Sequence, residues 1–282
     1  AVLKWNFYEN FEFWAGQTKL PGNVERVISS ANLQFINRSI LNSRFNIDRD
    51  IGIQLHHKLN LGNNFVIKEK FALSQGEGRN ITVGNLGGLQ YTGRLELLPF
   101  GEFTKKGDYI QSDLEREENP KLMLGVVYDF NDDAVKTRSN LGSFMEFEDG
   151  TLYKTDISTF FLDAVFKYQG FSFMAEYADR EADEPLAMQP GETDFFEYVV
   201  AEGDAFNIQA GYLFKNNYEI AARYSTIDFN EITNLSGRDE YTVGASKYIV
   251  GHKLKIQADL SYSEQNGNKD YIGFRCGFDF HF

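Results

Sequence analysis

The clearest pattern in the chain is a strict alternation of apolar and polar residues near its C-terminal end. A period of two is typical of a β-strand, because successive side chains leave opposite faces of the pleat. A turn at residues 265–268 divides the pattern, which predicts a hairpin with one apolar and one polar face. The apolar positions are Leu254, Ile256, Ala258, Leu260, Tyr262, Ile272, Phe274, Cys276, Phe278, Phe280 and Phe282.

Similar alternation recurs along the whole chain and predicts about thirteen antiparallel strands. For the sixth strand, residues 121–130 compete with residues 103–113, and we favour 121–130 because its alternation is cleaner. A change of phase between Ala245 and Tyr248 indicates a bulge. The predicted strands cover residues 1–8, 11–18, 49–59, 65–73, 89–97, 121–130, 159–168, 171–178, 205–214, 218–228, 241–250, 254–262 and 271–282.

Composition decides where such strands can exist. Aromatic residues make up 15% of the chain, with 26 Phe and 15 Tyr, yet no apolar run approaches the roughly eighteen residues of a membrane-spanning helix. A transmembrane barrel accounts for both facts, since its lipid face is apolar while its lumen and loops are polar. We therefore predict an all-β fold, an antiparallel transmembrane β-barrel in the bacterial outer membrane, with residues 1–282 forming one domain.

The number of strands leads to a further expectation. Bacterial barrels have even strand counts, short periplasmic turns and long external loops. If the chain ends on a strand that descends to the periplasm, its first strand also descends, which agrees with the tight turn at Glu9 and Asn10. Phe282 as terminal residue resembles the last strand of outer-membrane barrels. We expect about sixteen strands in the intact protein, its N-terminal strands and its export signal being absent from this sequence.

Three segments resemble a known family. Residues 14–26 (WAGQTKLPGNVER), 35–39 (FINRS) and 49–56 (RDIGIQLH) are similar to motifs of the phosphate-selective porin O and P family. The resemblance is specific over residues 11–57 and architectural elsewhere. It implies a sixteen-stranded, trimeric porin in which residues 19–48 form the third external loop, which folds inward and narrows the pore.

Basic residues are the candidates for selectivity in such a channel. Arginine suits phosphate because its planar guanidinium forms paired, charge-assisted hydrogen bonds. The alternative is that these cations pair with lumenal carboxylates, such as Glu96, Asp259 and Asp279, and merely stiffen the wall. The candidates for the constriction or for anion binding are Lys19, Arg26, Arg38, Arg44 and Arg49. Further candidates for lining the pore are Lys4, Lys58, Arg94, Arg223, Lys255 and Arg275.

Other function classes find little support in the sequence. The net charge of −13 argues against nucleic acid as a partner. The four His residues lack metal-ligand partners at useful spacing, and no catalytic motif is present. We expect no enzyme, no metal and no cofactor. The acidic residues of 179–204 are expected to form a solvated external loop, although an acidic pore entrance would oppose anions.

Two functions follow from these observations. The first is passive diffusion of small hydrophilic solutes or ions, with a preference for anions such as phosphate, through a homotrimer embedded in the lipid bilayer. The second is a barrel that serves as a structural or interaction subunit of a larger outer-membrane assembly. A soluble β-sandwich is a distant third interpretation. An open polar lumen favours the first function, and a plugged lumen or an additional chain favours the second.

Overall fold

The computed structural model describes residues 1–62, 64–189, 196–265, 267 and 269–280. Its main feature is a 13-stranded antiparallel sheet with the order β1-β2-β3-β4-β5-β6-β9-β10-β13-β14-β15-β16-β17. The strands are β1 (Val2–Tyr8), β2 (Phe11–Lys19), β3 (Arg49–Leu61), β4 (Phe65–Ser74), β5 (Gln90–Leu98), β6 (Lys121–Ala134), β7 (Lys136–Arg138), β8 (Leu141–Phe144), β9 (Thr155–Tyr168), β10 (Phe171–Ala182), β11 (Leu186–Ala187), β12 (Tyr198–Val199), β13 (Gly203–Leu213), β14 (Tyr218–Phe229), β15 (Arg238–Val250), β16 (Leu254–Gln265) and β17 (Tyr271–Phe280). Two small hairpins, β7–β8 and β11–β12, lie in loops outside this sheet.

All thirteen predicted strands are present in this sheet, including the choice of β6. The competing segment instead contains a 3₁₀ turn, Thr104–Tyr109. The predicted bulge between Ala245 and Tyr248 is wrong. Tyr248 faces inward and is 2% exposed, and the register of β15 shifts only between Tyr248 and Val250. An inward tyrosine breaks the apolar pattern in the sequence without breaking the strand.

The two faces of the sheet have opposite chemistry. On β17, Phe274 and Phe278 are 72% and 64% exposed, whereas Lys255 and Asp259 on β16 are 0% and 3% exposed. Apolar side chains outside and polar ones inside are the reverse of a soluble sandwich and are characteristic of a barrel wall in lipid. The predicted fold class is confirmed. Within the described part of the chain, no helix is long and apolar enough to cross a membrane.

The edges of the sheet are β1 and β17, and among the described residues these two strands do not pair with each other. The expectation of further strands before β1 stays a prediction. Phe282, the predicted end of the last strand, lies outside the described residues.

Connections between neighbouring strands differ sharply between the two rims. One rim, here the short-turn rim, has tight turns such as Glu9–Asn10 and Gln169–Gly170, and the other carries the long loops. Two segments depart from this arrangement by lying within the curve of the sheet. The long insertion (residues 20–48) starts from the long-loop rim and contains α1 (Val24–Val27), a 3₁₀ turn Ser30–Asn32 and α2 (Ile40–Arg44). The short-rim insertion (residues 99–120) enters from the opposite rim.

Apolar packing holds the long insertion against the inner wall. Leu41, Phe45 and Ile47 are fully buried and form one cluster with inward-facing residues of six strands. Those wall residues are Ala72, Val127, Phe161, Ala178, Ala205 and Ile227. Since apolar residues on the lumenal face would otherwise meet water, this patch is the docking surface that fixes the insertion inside the sheet. A third 3₁₀ turn, Glu231–Thr233, lies in the loop after β14.

Candidate pore constriction

A cavity of about 1030 Å³ lies between strands β1–β4 and the two insertions. Its lining includes residues from both ends of β2, from Phe11 at the short-turn rim to Lys19 at the long-loop rim. This strand has 9 residues and is therefore roughly 30 Å long at about 3.3 Å per residue. The cavity thus follows the wall over a length comparable to the hydrocarbon thickness of a bilayer.

Basic side chains outnumber acidic ones on the cavity wall. The basic ones are Lys19, Arg49, Lys58, Lys68, Lys70, Arg94 and Lys106. The acidic ones are Glu9, Glu12, Glu102 and Asp108. The protein as a whole carries a net charge of −13, so the net charge of the cavity lining is opposite in sign to that of the protein. A narrow, water-filled passage lined by cations attracts anions.

Sequence reasoning missed three of these cations, Lys68, Lys70 and Lys106. In the sequence of β4, Glu69 occupies a position of the apolar face and so interrupts the alternation. The alternation therefore does not clearly show which face Lys68 and Lys70 occupy. Glu69 does face outward, where its carboxylate contacts His57 Nδ1 at 2.8 Å. The period of two therefore places Lys68 and Lys70 inward, and the outward contact between Glu69 and His57 was the missing information.

The lysines on the β3–β4 wall are fixed by carboxylates. Lys58 Nζ lies 3.1 Å from Glu102, and Lys68 Nζ lies 2.8 Å from Asp108. Lys70 Nζ lies 2.7 Å from Glu96 and also contacts the hydroxyl of Tyr109. Two of these partners, Glu102 and Asp108, belong to the short-rim insertion.

Lys19 occupies the end of β2, where the long insertion begins. Its ammonium donates to the carbonyl oxygens of Arg26, Val27 and Ile28 at 2.7, 3.0 and 3.1 Å. These carbonyls lie at the C-terminal end of α1, where the helix lacks internal partners and favours a cation. Lys19 thus anchors the insertion and adds positive charge to the cavity wall.

Arg26 and Arg49 share one carboxylate. Arg26 Nη2 donates to Asp48, and Arg49 Nη1 lies 3.5 Å from the other oxygen of the same group. Burial would raise the pKa of Asp48, but the hydrogen bond and charge of Arg26 outweigh it and hold that pKa below its ordinary value. Since one carboxylate faces two guanidinium groups, the cluster keeps an excess positive charge. Arg49 is 38% exposed at its side chain and lines the cavity.

Three predicted constriction residues lie elsewhere. Arg26 stays within the insertion, and Arg38 donates to the carbonyls of Glu25 and Ile28 at 3.1 and 2.8 Å. Arg44 is exposed at the end of α2, away from the residues that line the cavity. The segment therefore folds inward, but Arg26 and Arg38 bind groups of the segment itself, and Arg44 is exposed away from the cavity lining.

The wall cations Arg94, Arg223 and Lys255 are only 3%, 4% and 0% exposed. Each donates to a backbone carbonyl of the long insertion, at Gly22, Asn37 and Leu33 respectively. Arg94 also pairs with both oxygens of Asp163 at 2.6 and 2.8 Å. They face the lumen as expected, yet the insertion covers them, so they act as supports. This is the stiffening role that the sequence left as the alternative.

Two remaining candidates lie near the free edges of the sheet. Arg275 pairs with Asp259 at 2.9 Å. The Lys4 ammonium lies 3.4 Å from the centre of the Trp14 ring, in a cation–π contact. Among the described residues, no group of three or more His, Cys, Asp or Glu side chains is placed to hold a metal ion.

A sequence model of the family described as Gram-negative porin matches residues 100–268, which is more than half of the chain. The chain belongs to the Gram-negative porin family. Membership places the porin in the bacterial outer membrane and among channels rather than enzymes. No curated protein sequence matches it.

Solved structures with a similar fold include three outer-membrane proteins. OprB of Pseudomonas putida has 11% identity and a TM-score of 0.55, over 93% of this chain and 66% of OprB. A loop L8 deletion mutant of OmpT from Vibrio cholerae has 12% identity and a TM-score of 0.51, over 98% and 76% of the two chains. An anion-selective porin from Comamonas acidovorans has 12% identity and a TM-score of 0.50, over 94% and 69%. The chain thus spans about two thirds of OprB, and the likeness concerns the fold.

Proposed function

We propose that this porin allows passive diffusion of small hydrophilic solutes and ions and prefers anions. The observation that carries the proposal is the basic cavity along β2, which extends between the two rims of the wall. Diffusion needs a continuous polar passage, and selectivity needs an excess of one charge where that passage is narrow. The basic cavity lined by Lys19, Arg49 and the lysines of β3 and β4 supports both requirements.

Charge proximity supports anion preference despite the acidic loops. At an effective dielectric constant near 20, one cation about 4 Å from a passing anion attracts it by roughly 4 kcal/mol before desolvation. Exposed loop carboxylates more than about 8–10 Å away are screened by salt. Arg49 lines the cavity and shares the carboxylate of Asp48 with Arg26, so positive charge remains close to a passing anion.

Phosphate is the anion we propose as the specific solute, and a homotrimer as the assembly. Both rest on the resemblance of residues 11–57 to the phosphate-selective porins O and P. The guanidinium of Arg49 supports phosphate chemically, because an arginine can offer two parallel hydrogen bonds to one phosphate group.

Reversal potentials across a planar bilayer with a salt gradient test the proposal. Arg49→Gln should lower the anion-to-cation permeability ratio, because it removes an exposed charge from the cavity wall. Arg44→Gln is the matched control, since that arginine is exposed but does not line the cavity. Addition of phosphate should reduce chloride current through the wild-type channel if phosphate occupies the same site.

Three outcomes would revise this proposal in different ways. A wild-type protein without channel activity would favour the structural or interaction subunit. A wild-type protein that conducts but prefers cations would support the channel function and contradict the anion preference. Equal effects of phosphate and an inert anion such as nitrate would leave anion preference without phosphate specificity.

A further inference from the structure

The short-rim insertion is unusual for its position in the fold. It connects β5 to β6 at the rim where the neighbouring strands are joined by tight turns. Short turns suffice to join antiparallel strands, so a long segment at this rim is not needed for the wall itself. It also does not extend away from the barrel, because Asp108, Ser112 and Asp113 are 2%, 0% and 1% exposed.

Its contacts reach across the lumen from β4 to β14. At one end, Asp108 holds Lys68 of β4 at 2.8 Å. Farther along, the Ser112 hydroxyl donates to Glu219 of β14 at 2.8 Å, and the Ser112 carbonyl accepts from Lys167 of β9 at 2.7 Å. The segment is thereby clamped to widely separated strands of the same sheet.

Two neighbouring lysines in this segment have left-handed backbone conformations. Lys105 has φ 50° and ψ 38°, and Lys106 has φ 60° and ψ 40°. Such a conformation costs free energy in any residue with a Cβ, and two in succession persist only where the surroundings impose them. Here the clamps at Asp108 and at Thr104, whose N–H donates to Glu117 at 2.6 Å, fix both sides of the pair.

The side chains of Lys105 and Lys106 lie in different surroundings. Lys105 Nζ contacts Glu115 at 2.9 Å on the exposed side of the segment. Lys106 lines the cavity, and among the described residues it has no acidic partner. Of the other cavity lysines, Lys58, Lys68 and Lys70 are each paired with a carboxylate, and Lys19 is held by backbone carbonyls. Lys106 is thus a cation on the cavity wall that forms no ion pair among the described residues.

We infer that the short-rim insertion is a second constriction element, and that Lys106 is a specificity-determining residue of the channel. This inference rests on the proposed function, since it concerns the same cavity. Lys19 and Arg49 line the cavity at the long-loop ends of β2 and β3, and Lys106 lines it from the insertion of the opposite rim. An anion meets a positive group from each rim, so selection operates at two points along the passage.

The test compares two lysines that share a backbone conformation and differ in direction. The variants are Lys106→Glu and, as matched control, Lys105→Glu, each reconstituted as the full chain in planar bilayers. Lys106→Glu should lower the anion-to-cation permeability ratio by about threefold or more, because a charge that lines a narrow passage acts at close range. Lys105→Glu should leave the ratio within about 1.5-fold of wild type, because exposed charges are screened.

Chemical modification of channels that already conduct separates the effect of charge from an effect on folding. Cys276, exposed on the lipid face, is first replaced by Ser. In that background, Lys106→Cys and Lys105→Cys channels are treated during recording with an anionic methanethiosulfonate. Reaction at position 106 should reduce anion current at once, and reaction at position 105 should not.

Equal responses at the two positions, in permeability ratio or in modification, would overturn the inference while leaving the porin function intact. Absence of any wild-type current would instead overturn the proposed function, and this inference with it.

Discussion

The backbone N–H of Gln34 donates to Oε1 of Gln111 at 2.6 Å. In return, the backbone N–H of Gln111 donates to the carbonyl of Asn32 at 3.1 Å. Gln34 belongs to the long insertion and Gln111 to the short-rim insertion, and the two are 3% and 5% exposed. Two segments that enter from opposite rims are therefore joined inside the lumen, and each limits the movement of the other.

Replacing Gln111 by Ala should loosen this junction. The buried N–H of Gln34 would lose its acceptor, which costs about 1–3 kcal/mol. We expect lower stability to urea and noisier single-channel current, because the two insertions would fluctuate independently. Gln189→Ala is the control, as that side chain is exposed on a long loop. Unchanged current noise in Gln111→Ala would show that the insertions are immobilised by their wall contacts alone.

Arg94→Leu should be among the most destabilising single changes in the wall. It leaves Asp163, which is 5% exposed, as a buried charge without its guanidinium partner, at a cost of about 3–5 kcal/mol. The double variant Arg94→Leu/Asp163→Leu should regain part of that loss, because no charge is then left unpaired. Urea unfolding followed by tryptophan fluorescence measures both. A double variant less stable than the single one would contradict this account of the pair.

Stability should depend on pH through Asp48. Its pKa lies below the ordinary value of 3.8 because Arg26 favours the carboxylate, so its contribution is complete above that value and is lost as the pH falls through the lowered pKa. Asp48→Asn should therefore be less stable than wild type by about 1–3 kcal/mol at neutral pH. That difference should stay constant down to about pH 5 and shrink in stronger acid. Asp183→Asn, on an exposed loop, is the control, and a difference independent of pH would exclude the ion pair as its source.

Placing Arg at Phe274 should destabilise the barrel by about 2–4 kcal/mol if the residue lies near the bilayer midplane. Phe274 is 72% exposed on the outer face of β17, so the cost arises from a charge in lipid and not from lost packing. Phe274→Leu keeps the site apolar and should fold in bilayers as wild type does. Equal stability of the Arg and Leu variants in lipid vesicles would place this face in water.

The strands could be predicted closely, and the lumen could not. Alternation located β6 and β16 because a wall strand between lipid and water repeats every two residues whatever its neighbours are. The partners of Arg223 and Lys255 are the backbone carbonyls of Asn37 and Leu33. These residues are remote in sequence, so alternation along a strand does not predict the contacts. Gly211 gives a weak signal of such contacts, since a Cβ at this inward position would overlap the side chain of Gln34.

The amino-acid pattern alone predicts the wall: which faces meet lipid, which residues turn inward, and that residues 19–48 form a long, basic segment. It could do so because alternation is a local property of each strand and the bilayer imposes the same rule on all of them. Which inward charges remain accessible to solutes depends on the packing of the folded chain. Arg223 and Arg38 donate to carbonyls of the long insertion, whereas Arg49 and Lys106 lie on the cavity wall. That division depends on how the two insertions pack across the lumen. Packing between segments that are distant in sequence produces no periodic pattern of residues from which it could be predicted.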